Sequence, residues 1–395
     1  MYIDQFIRRL TQTWMIASFA LLSASEKFFD HKYVLETPYR NQLNCDFYNS
    51  AAIPVGDGIM VLHRGDGLRF GRDENMLYPT LNRWDGGLVS RCTHDDFRPP
   101  HREPIIGTTE DPRLFLHNGS MFALYTSTAT GKRSDPRFFC LAELSVDPDQ
   151  NHVAVKRITR LEYARAKRIE KNWVLLSHEK DLYLIYSLFP ARILKVDLDA
   201  IQQGQHESAL FDAYLSGREF LPGGVKVFSN STNFVPVTLN GEHYYLCVYH
   251  FFRQSPPRLF PAPSDRQGVF RHYFAGFLLL KAEPPFKVTH CSPPILDEHF
   301  DFKGKDRVVF PTSCWIKDDQ FYVSMGVQDR ETWLLSAPMD RVLQRCAEWP
   351  LMGNVPMWQW GTTWPGSRWP VETPALPKTN PGPPDPDSMV WMDPS

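Results

Sequence analysis

The chain has 395 residues, 43 of them Lys or Arg against 45 Asp or Glu, for a formal net charge of -2. So balanced a surface argues against nucleic acid as the main partner. Seven scattered cysteines without CxxC or Cys/His spacing argue against a structural zinc and give no readable disulfide framework.

Residues 1–30 stand apart. Arg8 and Arg9 precede an apolar run from Trp14 to Leu22 that stops at Ser23-Ala24-Ser25. The run is shorter than the ~20 residues of a spanning helix, so no stable transmembrane span is expected. It reads equally as a signal-peptide core, which implies the secretory pathway, or as an amphipathic helix packed on the domain of a cytoplasmic protein. Two sequons, Asn118-Gly119-Ser120 and Asn230-Ser231-Thr232, are compatible with secretion, but Asn230 lies close to the candidate site described below.

Five units follow, each a polar-headed strand, a tight turn and an aromatic-rich second strand. The strands open at Phe47-Tyr48-Asn49-Ser50, Glu110-Asp111-Pro112-Arg113, Lys171-Asn172-Trp173-Val174, Ser231-Thr232-Asn233-Phe234 and Val309-Phe310-Pro311-Thr312. With Asn49, Asp111, Asn172, Asn233 and Thr312 as markers, the steps are 62, 61, 61 and 79 residues. Turns such as Gly56-Asp57-Gly58, Asn118-Gly119, Asn240-Gly241 and Asp318-Asp319 have hairpin chemistry. One unit cannot bury its own apolar faces, so the units must pack side by side. Radial closure hides their edges, which predicts an all-β fold, a five-bladed β-propeller with the polar strand openings around its axis. Cys140, Cys247 and Cys314 fall inside predicted strands and read as small buried residues.

The proline-rich stretch from Gln254 to Gln267 reads as a loop over one face and lengthens the fourth unit. From Trp349 onward, segments such as Trp358-Gln359-Trp360-Gly361 and Pro381-Gly382-Pro383-Pro384 lack strand periodicity and predict a disordered tail. The expected organisation is a segment 1–30, one propeller over 31–345, and a Trp/Pro-rich tail over 346–395.

Asp111 is the leading candidate for chemistry, because it opens the second unit's inner strand with Glu110 before it and Pro112-Arg113 after it. A carboxyl half-enclosed in a cavity is expected to have its neutral form favoured, as a general acid requires. An Asp-Pro turn with an Arg113 ion pair is the plainer reading. The other openings contribute Asn49, Ser50, Lys171, Asn172, Thr232 and Asn233, and the second-strand ends contribute Arg64, His250 and Asp329. Amides, hydroxyls, cations and carboxylates around one cavity suit a polyhydroxylated ligand such as an oligosaccharide or sugar phosphate.

These motifs also resemble, in order, those of glycoside hydrolase family 130. The stretches are Phe47 to Ile53, Val61-Leu62-His63-Arg64, Glu110-Asp111-Pro112-Arg113, Tyr245 to His250, Val308 to Thr312 and Gly326-Val327-Gln328-Asp329. That family includes β-mannoside phosphorylases and β-1,2-mannosidases, and related mannosyltransferases share its fold. The resemblance implies a five-bladed propeller and an inverting reaction in which Asp111 protonates the glycosidic oxygen through a hydroxyl of the bound mannose. It implies that Asn49, Ser50, Arg64 and Asp329 hold the mannosyl residue, and that His250 and Tyr273 contact incoming phosphate. No cofactor is implied beyond inorganic phosphate as co-substrate.

The chain departs from the family at the phosphate-binding cations, for which Arg157, Arg168, Lys171 and Arg192 all lie in the right region. Lys226 could stand for a sugar-binding lysine, and Asp301 or Asp306 for a general base. The second substrate therefore stays open between phosphate, water and a GDP-mannose donor. A non-catalytic glycan-binding propeller is a different class of answer, with the Trp-rich tail as its interaction element. Fructosidase-like or arabinanase-like propellers rely on a first-blade carboxylate, where this chain has Asn49.

Overall fold

The computed structural model describes residues 27–37, 46–66, 75–94, 108–128, 135–188, 191–202, 210–215, 227–255, 270–292, 294–295 and 308–347. The apolar run at Trp14–Leu22, Lys226, Asp301, Asp306, the core of the proline-rich insertion and the tail beyond Ala347 lie outside them.

Strand β1 (His31–Val34) comes first but pairs last. Blade 1 holds β2 (Asp46–Val55), β3 (Gly58–Asp66), β4 (Asn75–Asn82) and β5 (Leu88–Arg91). In blade 2, β6 (Thr93–His94) adds in parallel to the outer edge of β7 (Thr109–His117), β8 (Ser120–Thr128), β9 (Arg137–Asp147) and β10 (His152–Leu161). Blade 3 is β11 (Val174–His178), β12 (Asp181–Leu188), β13 (Ala191–Val196) and, after a short helix α1 (Leu198–Gln202), β14 (Leu210–Leu215). In blade 4 the inner strand is split into β15 (Val227–Asn230) and β16 (Val235–Leu239), both paired with β17 (Glu242–Ser255), followed by β18 (Phe270–Lys281) and β19 (Val288–Cys291). Blade 5 comprises β20 (Val309–Lys317), β21 (Gln320–Val327) and β22 (Glu331–Pro338), and β1 completes it as the outer strand. A helix α2 (Met339–Ala347) then packs on blades 4 and 5.

This is the five-bladed propeller that the spacing predicts, with the first strand of each unit innermost. The hairpin turns obey the expected chemistry: Asn118 and Gly119, Asn240 and Gly241, and Asp318 and Asp319 all have positive φ, as a type I′ turn demands. Gln254 and Ser255 belong to β17, so the insertion leaves the sheet later than the sequence suggests.

Each pair of neighbouring blades encloses its own apolar cluster, so the core is five seams rather than one centre. Among the described residues the seam between blades 5 and 1, where the ring closes, buries six hydrophobic residues, against thirteen or more in each of the others. Hydrogen bonds reinforce it. Thr312 Oγ1 donates to the Ser50 carbonyl at 2.6 Å, the Ser50 N–H donates to Thr332 Oγ1 at 3.2 Å, and the Ala52 N–H donates to Ser313 Oγ at 2.7 Å. Phe29 is fully buried in the seam between blades 4 and 5, and Arg341 of α2 holds the Phe28 carbonyl at 2.6 Å. Residues 27–30 and Cys346 of α2 therefore pack as parts of the propeller, each just beyond the boundary drawn from sequence. All six described cysteines are buried and free. Among the described residues no helix is long and apolar enough to cross a membrane.

Candidate active site

The polar strand openings of blades 1, 2 and 3 share one backbone device. Asn49, Asp111 and Asn172 have φ of 50°, 50° and 64°, in the left-handed region that non-glycine residues rarely adopt. In β2 and β7 the register slips across them, so two residues face one on the partner strand. Such a bulge re-aims the side chain while the strand resumes beyond it. At Asp111 the conformation is doubly unfavourable, because the residue before a proline is normally pushed towards extended backbone.

Several contacts hold Asp111 in place. Its Oδ1 accepts from Asn49 Nδ2 at 3.0 Å and from Arg64 Nη1 at 2.6 Å. Arg64 also lies 3.6 Å from Glu110 and over the Tyr48 ring. Arg113 Nη1 donates to the carbonyls of Asp111 and Pro112, both at 3.0 Å, and its Nε donates to the Ser231 carbonyl of blade 4. Its guanidinium lies 4.9 Å from the Phe310 ring centroid in blade 5. Arg113, expected to bind substrate or pair with the Asp111 carboxylate, thus makes its hydrogen bonds among the described residues to backbone carbonyls and ties blades 2, 4 and 5 together.

Burial opposes ionisation of Asp111, but Arg64, Arg113, the Asn49 amide and Lys171 outweigh it and hold its carboxyl well below the usual carboxylate range. This corrects the expectation of a neutral acid: the cations around it keep Asp111 a carboxylate in the ligand-free protein. Burial likewise lowers the Lys171 ammonium, helped by the nearby Arg137 and Arg64. Lys171 is nevertheless solvent-exposed. Neither Lys171 Nζ nor the Asn172 side-chain amide forms a hydrogen bond among the described residues. Asn49 Oδ1, Arg64 Nε and Arg137 Nε are buried atoms without hydrogen-bond partners.

His250 is buried, with Nδ1 bonded to Ser231 Oγ and its ring against Phe310 at 4.8 Å and Tyr273 at 6.0 Å. Burial, with Arg113 nearby, pushes its pKa down to about 3, so it offers a neutral imidazole rather than a cation. Asp329 follows β21 with φ of 52°, in the turn that leads into β22. Of the four candidate phosphate cations, only Lys171 acts on Asp111. Arg157 pairs with Glu143 at 3.0 Å, Arg192 lies over Tyr186, and Arg168 is exposed, with its carbonyl accepting from the Arg137 N–H at 2.9 Å.

The repeat phase fails in the last two units. Asn233 lacks the left-handed backbone, and its amide clamps Cys314, accepting from the N–H at 2.8 Å and donating to the carbonyl at 2.9 Å. The Thr232 and Thr312 hydroxyls are buried in seam contacts, and the Ser50 hydroxyl bonds His63 Nδ1 at 2.9 Å and accepts from Thr332. Asn230 is buried, its amide donating to the Ile185 and Asn172 carbonyls, so only the exposed Asn118 could accept a glycan without disrupting packing. One contributor, Arg137, lay outside the sequence reading, because it opens a third strand rather than an inner one. Gly326, part of the last quoted motif, lies so close to Asn49 that an added Cβ would sit 1.8 Å from Asn49 Oδ1.

No model of a known protein family matches the chain, and no match to a curated protein is found. Among solved structures, the β-1,2-mannobiose phosphorylase from Listeria innocua, in complex with β-1,2-mannobiose, has a TM-score of 0.51 at 12% identity, over 82% of this chain and 95% of that one. A mannose phosphorylase from Leishmania mexicana, in complex with phosphate ion, has a TM-score of 0.49 at 13% identity, over 83% and 93%. A glycosyl hydrolase from Bacteroides ovatus has a TM-score of 0.47 at 13% identity, over 74% and 84%. At these identities the likeness is one of fold.

Proposed function

We propose that this chain is a carbohydrate-active enzyme that breaks or forms a β-mannosidic bond with an anionic co-substrate, most simply phosphate, using Asp111 as the acid. The observation that carries the reading is the charge around Asp111. Arg64, Arg113, Arg137 and Lys171 act on Asp111 or on one another there, whereas among the described residues the carboxylate beside it, Glu110, faces Arg64. A hydrolase needs a second carboxylate across the site to activate water, whereas phosphate is already an anion and needs only placement. The β-mannoside class rests on the ordered motifs, with the Listeria innocua phosphorylase as a fold relative consistent with it.

In this reading Asn49, Asn172 and Asp329 orient the sugar, while Ser50, Asn233 and Arg113 act by holding the strands that carry those residues. Lys171 and Arg64 place the anion, and His250 and Tyr273 form the wall beside it. The acid proton passes to the leaving oxygen as an oxygen of hydrogen phosphate bonds the anomeric carbon. The proton that the phosphate loses restores the acid, so the reaction balances without a cofactor.

The test supplies purified protein with β-mannobiose and phosphate, with mannose 1-phosphate and sugar acceptors, and with GDP-mannose and the same acceptors. Mannose 1-phosphate formation or its reversal is expected, with at least a hundredfold loss in Asp111→Asn. Turnover with GDP-mannose alone would reassign the donor. Binding of glycan with no product in any arm, and no effect of Asp111→Asn, would overturn the enzymatic reading in favour of a glycan-binding propeller.

A further inference from the structure

Asp111 presents a difficulty that its surroundings also resolve. Oδ1 is fixed by Asn49 and Arg64, while Oδ2 makes no hydrogen bond among the described residues. The titratable and charged groups acting on Asp111 or its partners are Tyr48 from β2, Arg64 from β3, Glu110 and Arg113 from β7, Arg137 from β9, Lys171 from the segment before β11, and His250 from β17. Four are cations, against Glu110 and Asp111 itself as carboxylates. Among these described groups positive charge is therefore in excess, and the Asp111 carboxylate is held ionised. A carboxylate cannot donate a proton.

We propose that an oxyanion and a proton enter this site together, the anion on Lys171 and Arg64 and the proton on Asp111. The inference rests on the reading of Asp111 as the acid and adds how that acid becomes charged with its proton. A tetrahedral dianion beside Lys171 takes over the cations that had stabilised the carboxylate and adds negative potential next to it. At about 5 Å and an effective dielectric of about 20, each unit of added charge raises proton affinity by about a hundredfold. The step is Asp111 carboxylate plus one solvent proton giving the carboxylic acid. Oδ2, without a hydrogen-bond partner among the described residues, is the oxygen left to carry that proton. By reciprocity the proton raises anion affinity by the same factor. The co-substrate thus arms the acid, and hydrolysis by an unarmed site is suppressed.

Sulfate is the probe, because it does not itself titrate near neutral pH. Calorimetric titration of the full chain with sulfate, in two buffers that differ in heat of ionisation, counts protons taken up. The expected result is net proton uptake on sulfate binding that grows as pH falls from about 7.5 to about 4.5, with Kd tightening over the same range. Lys171→Arg, whose guanidinium stays protonated, keeps the uptake, and Asp111→Asn abolishes it. Sulfate binding without proton uptake, or uptake that survives Asp111→Asn, overturns the inference while leaving the proposed activity standing. Uptake as expected without turnover upholds the linkage and overturns the activity instead, and absence of sulfate binding overturns both.

Discussion

Replacing Asp111 with Asn keeps the shape of the side chain and removes its charge, so it isolates what the carboxylate does for the fold. The Asn carbonyl oxygen can still accept from Asn49 and Arg64, now 3.0 Å and 2.6 Å from Oδ1. The bond from Asn49 becomes neutral and the one from Arg64 is no longer an ion pair, losses of roughly 1 kcal/mol apiece. Arg64 and Lys171 also lose a counter-charge in a site where Glu110 is then the carboxylate left beside them. Together these put the destabilisation at about 2–3 kcal/mol near pH 7, below the 3–5 kcal/mol typical of a fully buried pair broken outright. The sign with pH follows from the depressed carboxyl. Its stabilisation is fully present above the unfolded-state value near 4 and is lost as pH falls through the folded one. Urea unfolding of both proteins at pH 7, 5 and 3 should therefore show a gap that is constant from 7 to 5 and shrinks at 3. An equally stable variant at pH 7, or a gap unchanged at pH 3, would refute the claim that Asp111 is ionised and anchored by its cations.

Thr332→Val preserves volume but strands the buried Ser50 N–H and removes the bond to Ser50 Oγ, so denaturant unfolding should show a loss of about 2–4 kcal/mol, whereas Thr238→Val at an exposed position should show almost none. Gly326→Ala forces Asn49 to move and should lower kcat/KM by about tenfold or more with the fold intact by circular dichroism; unchanged kinetics would remove Asn49 from the site. Arg113→Lys keeps the charge but cannot hold three carbonyls at once, so kcat should fall by about ten- to a hundredfold while KM stays within about threefold. A change confined to KM would instead mean that Arg113 touches the ligand.

The architecture was legible because a blade must repeat its hydrophobic period, and a tight turn at each hairpin leaves a chemical mark, as at Asn118-Gly119 and Asn240-Gly241. Closure by β1 was not legible: His31–Val34 is too short to announce its pairing with the last blade's third strand. The convergence of Asn49, Arg64 and Asp111 follows from spacing alone. The ionisation of Asp111 does not, since it depends on Lys171 and Arg113 arriving from the segment before β11 and from two positions along β7, and their combined field is a property of the ring. Arg137 was hidden for the same reason. It opens a third strand, and only its approach to Lys171 gives it a role.

Why the phase of the repeat marks the proposed site in three units and a seam in two is a question of backbone strain. A left-handed non-glycine residue costs about 1–3 kcal/mol, and it persists only where its surroundings over-determine it. At Asp111 the overdetermination is visible: two side-chain bonds from blade 1, and the Arg113 guanidinium of blade 2, which is braced on blades 4 and 5 and grips the Asp111 carbonyl. Asn233 and Thr312 have no such strain and turn their polar groups into the contacts that hold blade 5 to its neighbours. The same polar position thus does two kinds of work. Where the chain accepts the left-handed backbone, at Asn49, Asp111 and Asn172, stand the residues of the proposed site. Where it keeps regular backbone, the side chain closes the ring against which the strained residues are held.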